Sequence, residues 1–383
     1  MKIVTIVGAR PQFIKAAAVS RSIQAFNRRV LQGGIGKRLR EILVHTGQHY
    51  DYLMDRVFFE ELRLPKPDYH LGVGSGSHAI QTGRMLERIE TVLNKEKPAI
   101  VVVYGDTNST LAGALAAAKL HIPIAHVEAG LRSYKRNMPE EVNRLLADHL
   151  STLLFSPTVQ SVRNLSKEGI RNGDKTVVKN VGDVMYDSVL YYAQLAEKRS
   201  TILEDLNLVN LQSAICNPQY YLATLHRAEN TDDPKKLKSI LRALAEIAKD
   251  CYVVLPVHPR TKKMIKAHHL LREVKEIQLT DPLSYFDMLA LERHAKAILT
   301  DSGGVQKEAY WFRVPCLTLR KETEWVETIR GGWNVLVGTE TSRIVKEVER
   351  RKWKKPSRRG RGIFGDGKAS EKIVQIIAKY CCS

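Results

Sequence analysis

Ala99-Ile100-Val101-Val102-Val103-Tyr104-Gly105-Asp106 is the stretch on which the fold turns. Its six leading residues are apolar in succession, with no alternation, and the run ends on a glycine and a carboxylate. A strand apolar on both faces belongs in a parallel sheet covered on both sides, not in a half-exposed antiparallel one. Helical patterns flank it at residues 78–94 and at an alanine-rich segment, 110–120. Toward the N-terminus the spacing predicts a strand over 2–7, a turn at Gly8-Ala9-Arg10-Pro11, a helix over 12–26, a strand over 41–46 and a helix over 52–61. Toward the C-terminus it predicts a strand over 124–127 and a helix over 139–149. Such alternation is the signature of an α/β chain with a parallel sheet.

A second series begins after Asp187, with helices over 189–206, 234–248, 283–292 and 305–311 and strands over 220–225, 252–257, 297–300 and 316–319. Two blocks of similar size in 383 residues predict two Rossmann-like, doubly wound domains, 1–187 and 188–364, facing a central cleft. A last helix over 370–380 follows the Gly365-Asp366-Gly367 turn, and the terminal segment 365–383 is expected to pack back on the body.

Hydrophobic residues make up 44% of the chain and charged residues 26%, a balance that excludes disordered and fibrous classes. No uncharged apolar run approaches the roughly 18 residues of a membrane helix, and Met1 to Gly8 reads as a first strand rather than a signal peptide. These features predict a cytoplasmic chain with no membrane partner. The net charge of +19 includes eight basic and no acidic residues between Arg350 and Arg361, leaving +11 on the rest. A solvated basic surface is the first reading and an electrostatic funnel for an anionic substrate the second. Nucleic acid comes last, because no zinc-finger spacing, RNP pattern or aromatic-interleaved basic stretch is present. Cys216, Cys251, Cys316, Cys381 and Cys382 are odd in number and lack CxxC spacing, which argues against a disulfide framework or a zinc site.

Chemistry-bearing residues collect where strands end. Asp106 follows one strand, Glu128 another, His226 and Arg227 a third, His258 a fourth, and Asp301-Ser302-Gly303-Gly304 a fifth; in a parallel sheet those ends share an edge. Ser302, Gly303 and Gly304 open a helix, so they either cradle a phosphate at its N-terminus or form a tight turn capped by Ser302. Arg10 and, one turn later, Lys15 place cations after the first strand, although this pattern is neither a Walker loop nor a GxGxxG turn. Gly72 to Ser77 follows no clear strand and reads as a flexible loop. Asp106 could simply cap a helix, and Glu140 and Glu141 could simply suit a helix start after Pro139. Glu128 stands out, because a carboxylate ending a buried strand is costly unless a ligand or partner meets it.

Read in order, Gly8-x-Arg10-Pro11-x-x-x-Lys15, Gln48-His49, Gly105-Asp106-Thr107, His126-Val127-Glu128-Ala129-Gly130-Leu131-Arg132, Pro139-Glu140-Glu141-x-Asn143-Arg144, His226-Arg227-x-Glu229, Pro256-Val257-His258 and Thr300-Asp301-Ser302-Gly303-Gly304-x-Gln306-x-Glu308 resemble the motifs of the non-hydrolysing UDP-N-acetylglucosamine 2-epimerases. The resemblance runs from Met1 to the Gly365-Asp366-Gly367 turn. It implies a glycosyltransferase-B-like pair of domains, usually a homodimer, interconverting UDP-GlcNAc and UDP-ManNAc with no metal and no cofactor. By the same carry-over Asp106, Glu128 and Glu140 would be acid/base carboxylates and His226 would stabilise or protonate the departing diphosphate. Ser302, Gly303 and Gly304 would bind diphosphate, Glu308 the ribose, and Arg10, Lys15 and Arg227 would add positive charge.

Three positions depart from the bacterial pattern. Leu283 and Met288 replace Gln and Phe, and Trp325 in Thr323-Glu324-Trp325-Val326-Glu327 replaces an Arg, for which Arg320 is the candidate substitute. The Trp version also resembles 2-epimerases of UDP-2,3-diacetamido-2,3-dideoxy-glucuronate, which forms the alternative substrate. A UDP-sugar glycosyltransferase of the same architecture is the alternative of another class; it has less use for three carboxylates.

Overall fold

The computed structural model describes residues 1–48, 59–208, 220–330, 332–350 and 362–382. Most of the helix expected over 52–61, His49, Cys216 and all but the first residue of the basic segment 350–361 lie outside the described residues. The chain forms two compact units, one of Met1–Leu190 with Gly362–Ser383 and one of Tyr191–Arg361. Each contains one sheet in which every pairing is parallel.

In the first unit the strands are β1 (Lys2–Val7), β2 (Arg40–His45), β3 (Tyr69–His70), β4 (Ile100–Tyr104), β5 (Ile124–Val127), β6 (Leu153–Ser156) and β7 (Val177–Asn180), in the spatial order β3-β2-β1-β4-β5-β6-β7. All five residues of β4 are buried, as its unbroken apolar run demands. Val101 and Val103 join Val4, Ile6, Ile42 and Val44 in a core closed by Met85 and Ile89 from helix His78–Glu96 and by Ala112 and Ala116 from helix Asn108–Lys119. The alanines matter here, because a small face lets that helix lie close on the sheet.

The order reverses direction between β1 and β4, so the loops after these strands diverge and leave a crevice at the carboxyl edge, the usual ligand position in open α/β sheets. Gln12 spans it: its side-chain oxygen accepts from the Gly8 and Ala9 backbone N–H groups at 2.8 and 3.2 Å, while its amide nitrogen donates to the Tyr104 carbonyl at 2.9 Å. The glycine-rich loop expected to be flexible instead follows β3 and is tied down. Val73 and Gly74 donate to the Thr46 and Gly47 carbonyls, and Gln81 donates to the Gly74 carbonyl at 2.8 Å.

Helix Ala369–Tyr380 packs on helix Arg10–Leu31 of the same unit. Its first turn is capped from outside: Asp187 accepts from the backbone N–H groups of Ala369 and Ser370 at 3.1 and 2.7 Å and from the Ser370 hydroxyl at 2.6 Å. These donors satisfy the helix start that Lys368 cannot cap with its own side chain.

The second unit repeats the plan with β8 (Tyr221–Thr224), β9 (Val253–Pro256), β10 (Gln278–Thr280), β11 (Ala297–Thr300), β12 (Cys316–Thr318) and β13 (Asn334–Leu336), in the order β10-β9-β8-β11-β12-β13. Its reversal falls between β8 and β11, whose register pairs Thr224 with Thr300. His226 and Ser302 therefore leave adjacent strands at this unit's own switch point.

Candidate functional site

In the first unit, Arg10 and Lys15 follow β1, Asp106 follows β4, Glu128 follows β5, and Glu140 lies half-buried in the first turn of helix Pro139–Leu150. Glu128 occupies a left-handed backbone conformation, φ +74°, with its N–H donating to the Phe155 carbonyl at 3.0 Å. Its carboxylate meets the Lys15 ammonium, and both side chains are almost wholly buried. Two opposite buried charges in contact compensate one another where a single one would be costly. Lys15 is thus the partner that Glu128 requires, and the burial of that carboxylate does not by itself call for a ligand. Gly105 permits the approach: a Cβ there would stand 3.1 Å from the carboxylate and 3.2 Å from the ammonium.

Asp106 keeps its side chain partly accessible and accepts from Arg144 at 2.5 Å. Arg144 also donates to Glu141 at 2.8 Å. Glu141, unlike Glu140, is a buried clamp: it accepts from the Ser133 and Tyr134 backbone N–H groups, both at 2.9 Å, and from the Ser133 hydroxyl. Burial pushes its carboxyl up, but those N–H groups and Arg144 outweigh burial and hold it below the usual range. Glu141 and Arg144 therefore join the 131–138 loop to Asp106. The sequence hinted at this pair through its i, i+3 spacing, yet nothing local connects either residue to Asp106.

Beneath this edge lies a buried polar network. His126 places Nε2 2.7 Å from the Gly105 carbonyl and Nδ1 2.7 Å from Asp148. Asp148 also accepts from the Gly130 N–H at 3.1 Å and pairs with Arg132 at 2.7 Å. Burial works to raise the Asp148 carboxyl, and its contacts with His126 and Arg132 overcome it, leaving the group below its ordinary value. The ring of His126 connects the loop carrying Asp106 to the support under the Glu128 turn.

In the second unit, buried Asp301 accepts from the backbone N–H groups of His226 and Arg227 at 3.1 Å and from the Asn230 side chain at 3.2 Å. It fixes the turn after β8 and leaves the His226 side chain 41% exposed, with Nδ1 3.3 Å from Asp301. Ser302 caps helix Gly303–Phe312 through its hydroxyl and the Val305 N–H. That capping role leaves the Gly303 and Gly304 N–H groups in the first turn, where a helix end favours an anion. Over Gly303 lies Trp325, whose Nε1 would be 3.1 Å from a Cβ at that position. The buried Lys307 ammonium sits 3.9 Å from the centre of the same indole. Glu308, also buried, accepts from the Tyr285 hydroxyl at 3.3 Å.

Arg320 does not replace the missing arginine. Its guanidinium is buried, donates to both Glu324 oxygens at 3.0 and 3.2 Å and reaches Glu229 at 3.2 Å. Burial alone would raise the Glu324 carboxyl; Arg320 and Arg227 reverse this and bring it down to about 2. A guanidinium held this way braces the turn instead of offering a fork to a ligand. Leu283 and Met288 pack against an apolar core of their own unit. His258 caps helix Pro259–Ala267, accepting from the Arg260 N–H at 3.2 Å. Among the described residues, no group of three or more His, Cys, Asp or Glu side chains is arranged to hold a metal ion.

Comparison with known proteins bears on both units. A sequence model described as UDP-N-acetylglucosamine 2-epimerase matches residues 35–378. The chain is 51% identical over 381 residues to a UDP-N-acetylglucosamine 2-epimerase homolog of Methanococcus maripaludis, covering 98% of this chain and 99% of that one. It is 50% identical over 380 residues to the UDP-2,3-diacetamido-2,3-dideoxy-D-glucuronate 2-epimerase of Pseudomonas aeruginosa, covering 99% and 100%. Its structure is similar to the crystal structure of Methanocaldococcus jannaschii UDP-GlcNAc 2-epimerase in complex with UDP-GlcNAc and UDP, with a TM-score of 0.87, 44% identity, and 99% and 100% of the two chains covered.

Proposed function

The chain belongs to the UDP-N-acetylglucosamine 2-epimerase family and is an epimerase, and from that premise we propose that it interconverts UDP-GlcNAc and UDP-ManNAc by elimination and re-addition of UDP. The observation that carries this reading is the likeness, at 44% identity over nearly the whole chain, to an enzyme that holds UDP-GlcNAc and UDP. The residues present suit that chemistry. The C2 hydrogen of the sugar is not flanked by a ketone, so proton removal alone would leave a poorly stabilised carbanion. If a carboxylate takes that proton while the C1–O bond breaks toward the diphosphate, the electron pair forms the C1–C2 double bond of a 2-acetamidoglucal. Re-addition of UDP at C1, with a proton delivered to the opposite face of C2, inverts the centre.

In this scheme Asp106, Glu128 and Glu140 supply the proton-transfer groups and His226 meets the charge developing on the departing diphosphate. The N-terminus of helix Gly303–Phe312, Arg10 and Arg227 complement the phosphates, and Glu308 accepts from ribose hydroxyls. The ammonium of Lys15 acts through Glu128.

One observation favours a second substrate. The Pseudomonas aeruginosa relative is about as similar as any reported above, and Trp325, with the Lys307 ammonium over its ring, lies against Gly303 at the start of helix Gly303–Phe312. The test is to incubate the protein with each nucleotide sugar in D₂O and follow the products by NMR. UDP-ManNAc carrying deuterium at C2 is expected from UDP-GlcNAc. Exchange only with UDP-2,3-diacetamido-2,3-dideoxy-glucuronate would transfer the assignment to that sugar, and no exchange with either would defeat both readings.

We also infer a homodimer. Val142 and Leu146, one turn apart on helix Pro139–Leu150, are 40% and 46% exposed, an apolar stripe suited to a second copy. Light scattering should give twice the chain mass, and a Val142→Glu, Leu146→Glu chain should give the monomer mass; a monomeric wild type would end the inference.

A further inference from the structure

Helix Arg10–Leu31 ends in a projecting basic tip that has no part in the chemistry above. Arg28 and Arg29 lie in its last turn, and every residue from Leu31 to Arg38 is exposed. Between Arg28 and Arg40 the sequence holds five basic residues, no acidic residue and no aromatic one. Among the described residues, Arg28, Arg29, Lys37 and Arg38 make no ion pair with a carboxylate. Two aliphatic side chains stand among these cations: Leu31 is 67% exposed and Ile35 completely so.

The tip is built, not frayed. Asn27 clamps its base, donating to the Leu39 carbonyl and accepting from the Leu39 N–H, both at 2.8 Å. The Gly34 N–H closes the helix end on the Arg29 carbonyl at 2.9 Å.

Isolated exposed aliphatics are ordinary, and so are isolated surface cations. Their combination is more specific. A bilayer surface bearing anionic headgroups attracts the arginines and lysine, while Leu31 and Ile35 gain by leaving water at the headgroup boundary. Nucleic acid would satisfy the cations equally well, but it would give a fully exposed isoleucine little to pack against, and the tip lacks the aromatic platforms on which bases stack. We propose that residues 28–40 form a docking tip for anionic lipid surfaces and hold this epimerase peripherally at a membrane. No span is involved, since among the described residues no helix is long and apolar enough to cross one.

The test is co-sedimentation of the full chain with vesicles of phosphatidylglycerol and phosphatidylcholine, compared with phosphatidylcholine alone. Binding is expected only to the anionic vesicles and should weaken as salt rises. Each cation near such a surface contributes about fivefold in affinity, so Arg28→Gln with Arg38→Gln should weaken binding by roughly 25-fold. Leu31→Ser with Ile35→Ser should weaken it by about tenfold or more, through the lost burial of two aliphatic side chains. Epimerisation of soluble nucleotide sugar should be unchanged in both variants, which also reports that they fold. The proposal is overturned by equal binding to neutral vesicles, by no vesicle binding at low salt, or by binding that survives both variants, as it would if the basic segment 350–361 were responsible. It is also overturned if an RNA oligonucleotide binds more tightly than the vesicles and the Leu31, Ile35 variant binds that RNA normally.

Discussion

Glu128→Gln should lower turnover by about 10² to 10³ while UDP still binds, because a positioned acid/base group typically contributes 10² to 10⁴. The substitution keeps the shape of the side chain and leaves a carbonyl oxygen to face Lys15, so the turn after β5 survives while the group that exchanges a proton is lost. Lys15→Met provides the contrast. It removes the partner and leaves a nearly buried carboxylate uncompensated, so it should reduce thermal stability as well as activity. Turnover for each variant, read beside UDP affinity and the melting temperature, separates chemistry from support. Near-normal turnover in Glu128→Gln would remove that carboxylate from the mechanism.

The fold was legible where strands are apolar, buried and clearly set off from the helices beside them. β4 and its flanking helices emerge from an unbroken apolar run, and the same reasoning located β1, β5, β8, β9, β11 and β12. Among the strands missed, β3 is two residues long and partly exposed and β10 and β13 are three residues long and only partly buried, so none shows the apolar, wholly buried run that marks the equally short β12. β7 is an edge strand, half exposed over Val177–Asn180. β6 was overlooked although all four residues of Leu153–Ser156 are buried, because only Ser151 and Thr152, with no glycine or proline, separate it from the preceding helix.

The site was half legible for a different reason. Strand ends show which residues reach the carboxyl edge, but they do not show which residue pairs with which. Lys15 and Glu128 are 113 positions apart, His226 and Asp301 75, and Arg144 and Asp106 38. No local pattern encodes these pairings, and they change the reading: Lys15 serves Glu128, Asp301 braces the His226 turn, and Arg320 is held by Glu324 and Glu229. Glu141 illustrates the same point beside Glu140. Adjacent carboxylates at a helix start look equivalent in sequence, yet one is a buried clamp and the other half-buried, because only one faces the N–H groups of Ser133 and Tyr134.

Gly130→Ala should destabilise the first unit by about 3 to 5 kcal/mol, enough to consume much of the roughly 5 to 15 kcal/mol that holds a typical domain together. Two independent costs add. Gly130 has φ +84°, a left-handed conformation that costs an alanine about 1 to 2 kcal/mol. A Cβ there would also lie 2.4 Å from the Ser161 carbonyl oxygen and 2.9 Å from Leu165 Cγ. The first of these is backbone, so relief requires helix Val159–Lys167 to shift. That shift is opposed by the bonds that hold the turn, from the Gly130 N–H to Asp148 at 3.1 Å and from Asn164 to the Gly130 carbonyl at 3.0 Å. Gly169→Ala isolates the first cost, since Gly169 has nearly the same φ, +83°, and open space where a Cβ would go. Urea unfolding of both variants should therefore place Gly169→Ala about 1 kcal/mol below wild type and Gly130→Ala at least 2 kcal/mol lower still. Equal losses would mean that helix Val159–Lys167 yields freely, and that the turn presenting Glu128 is not braced by the network beneath it.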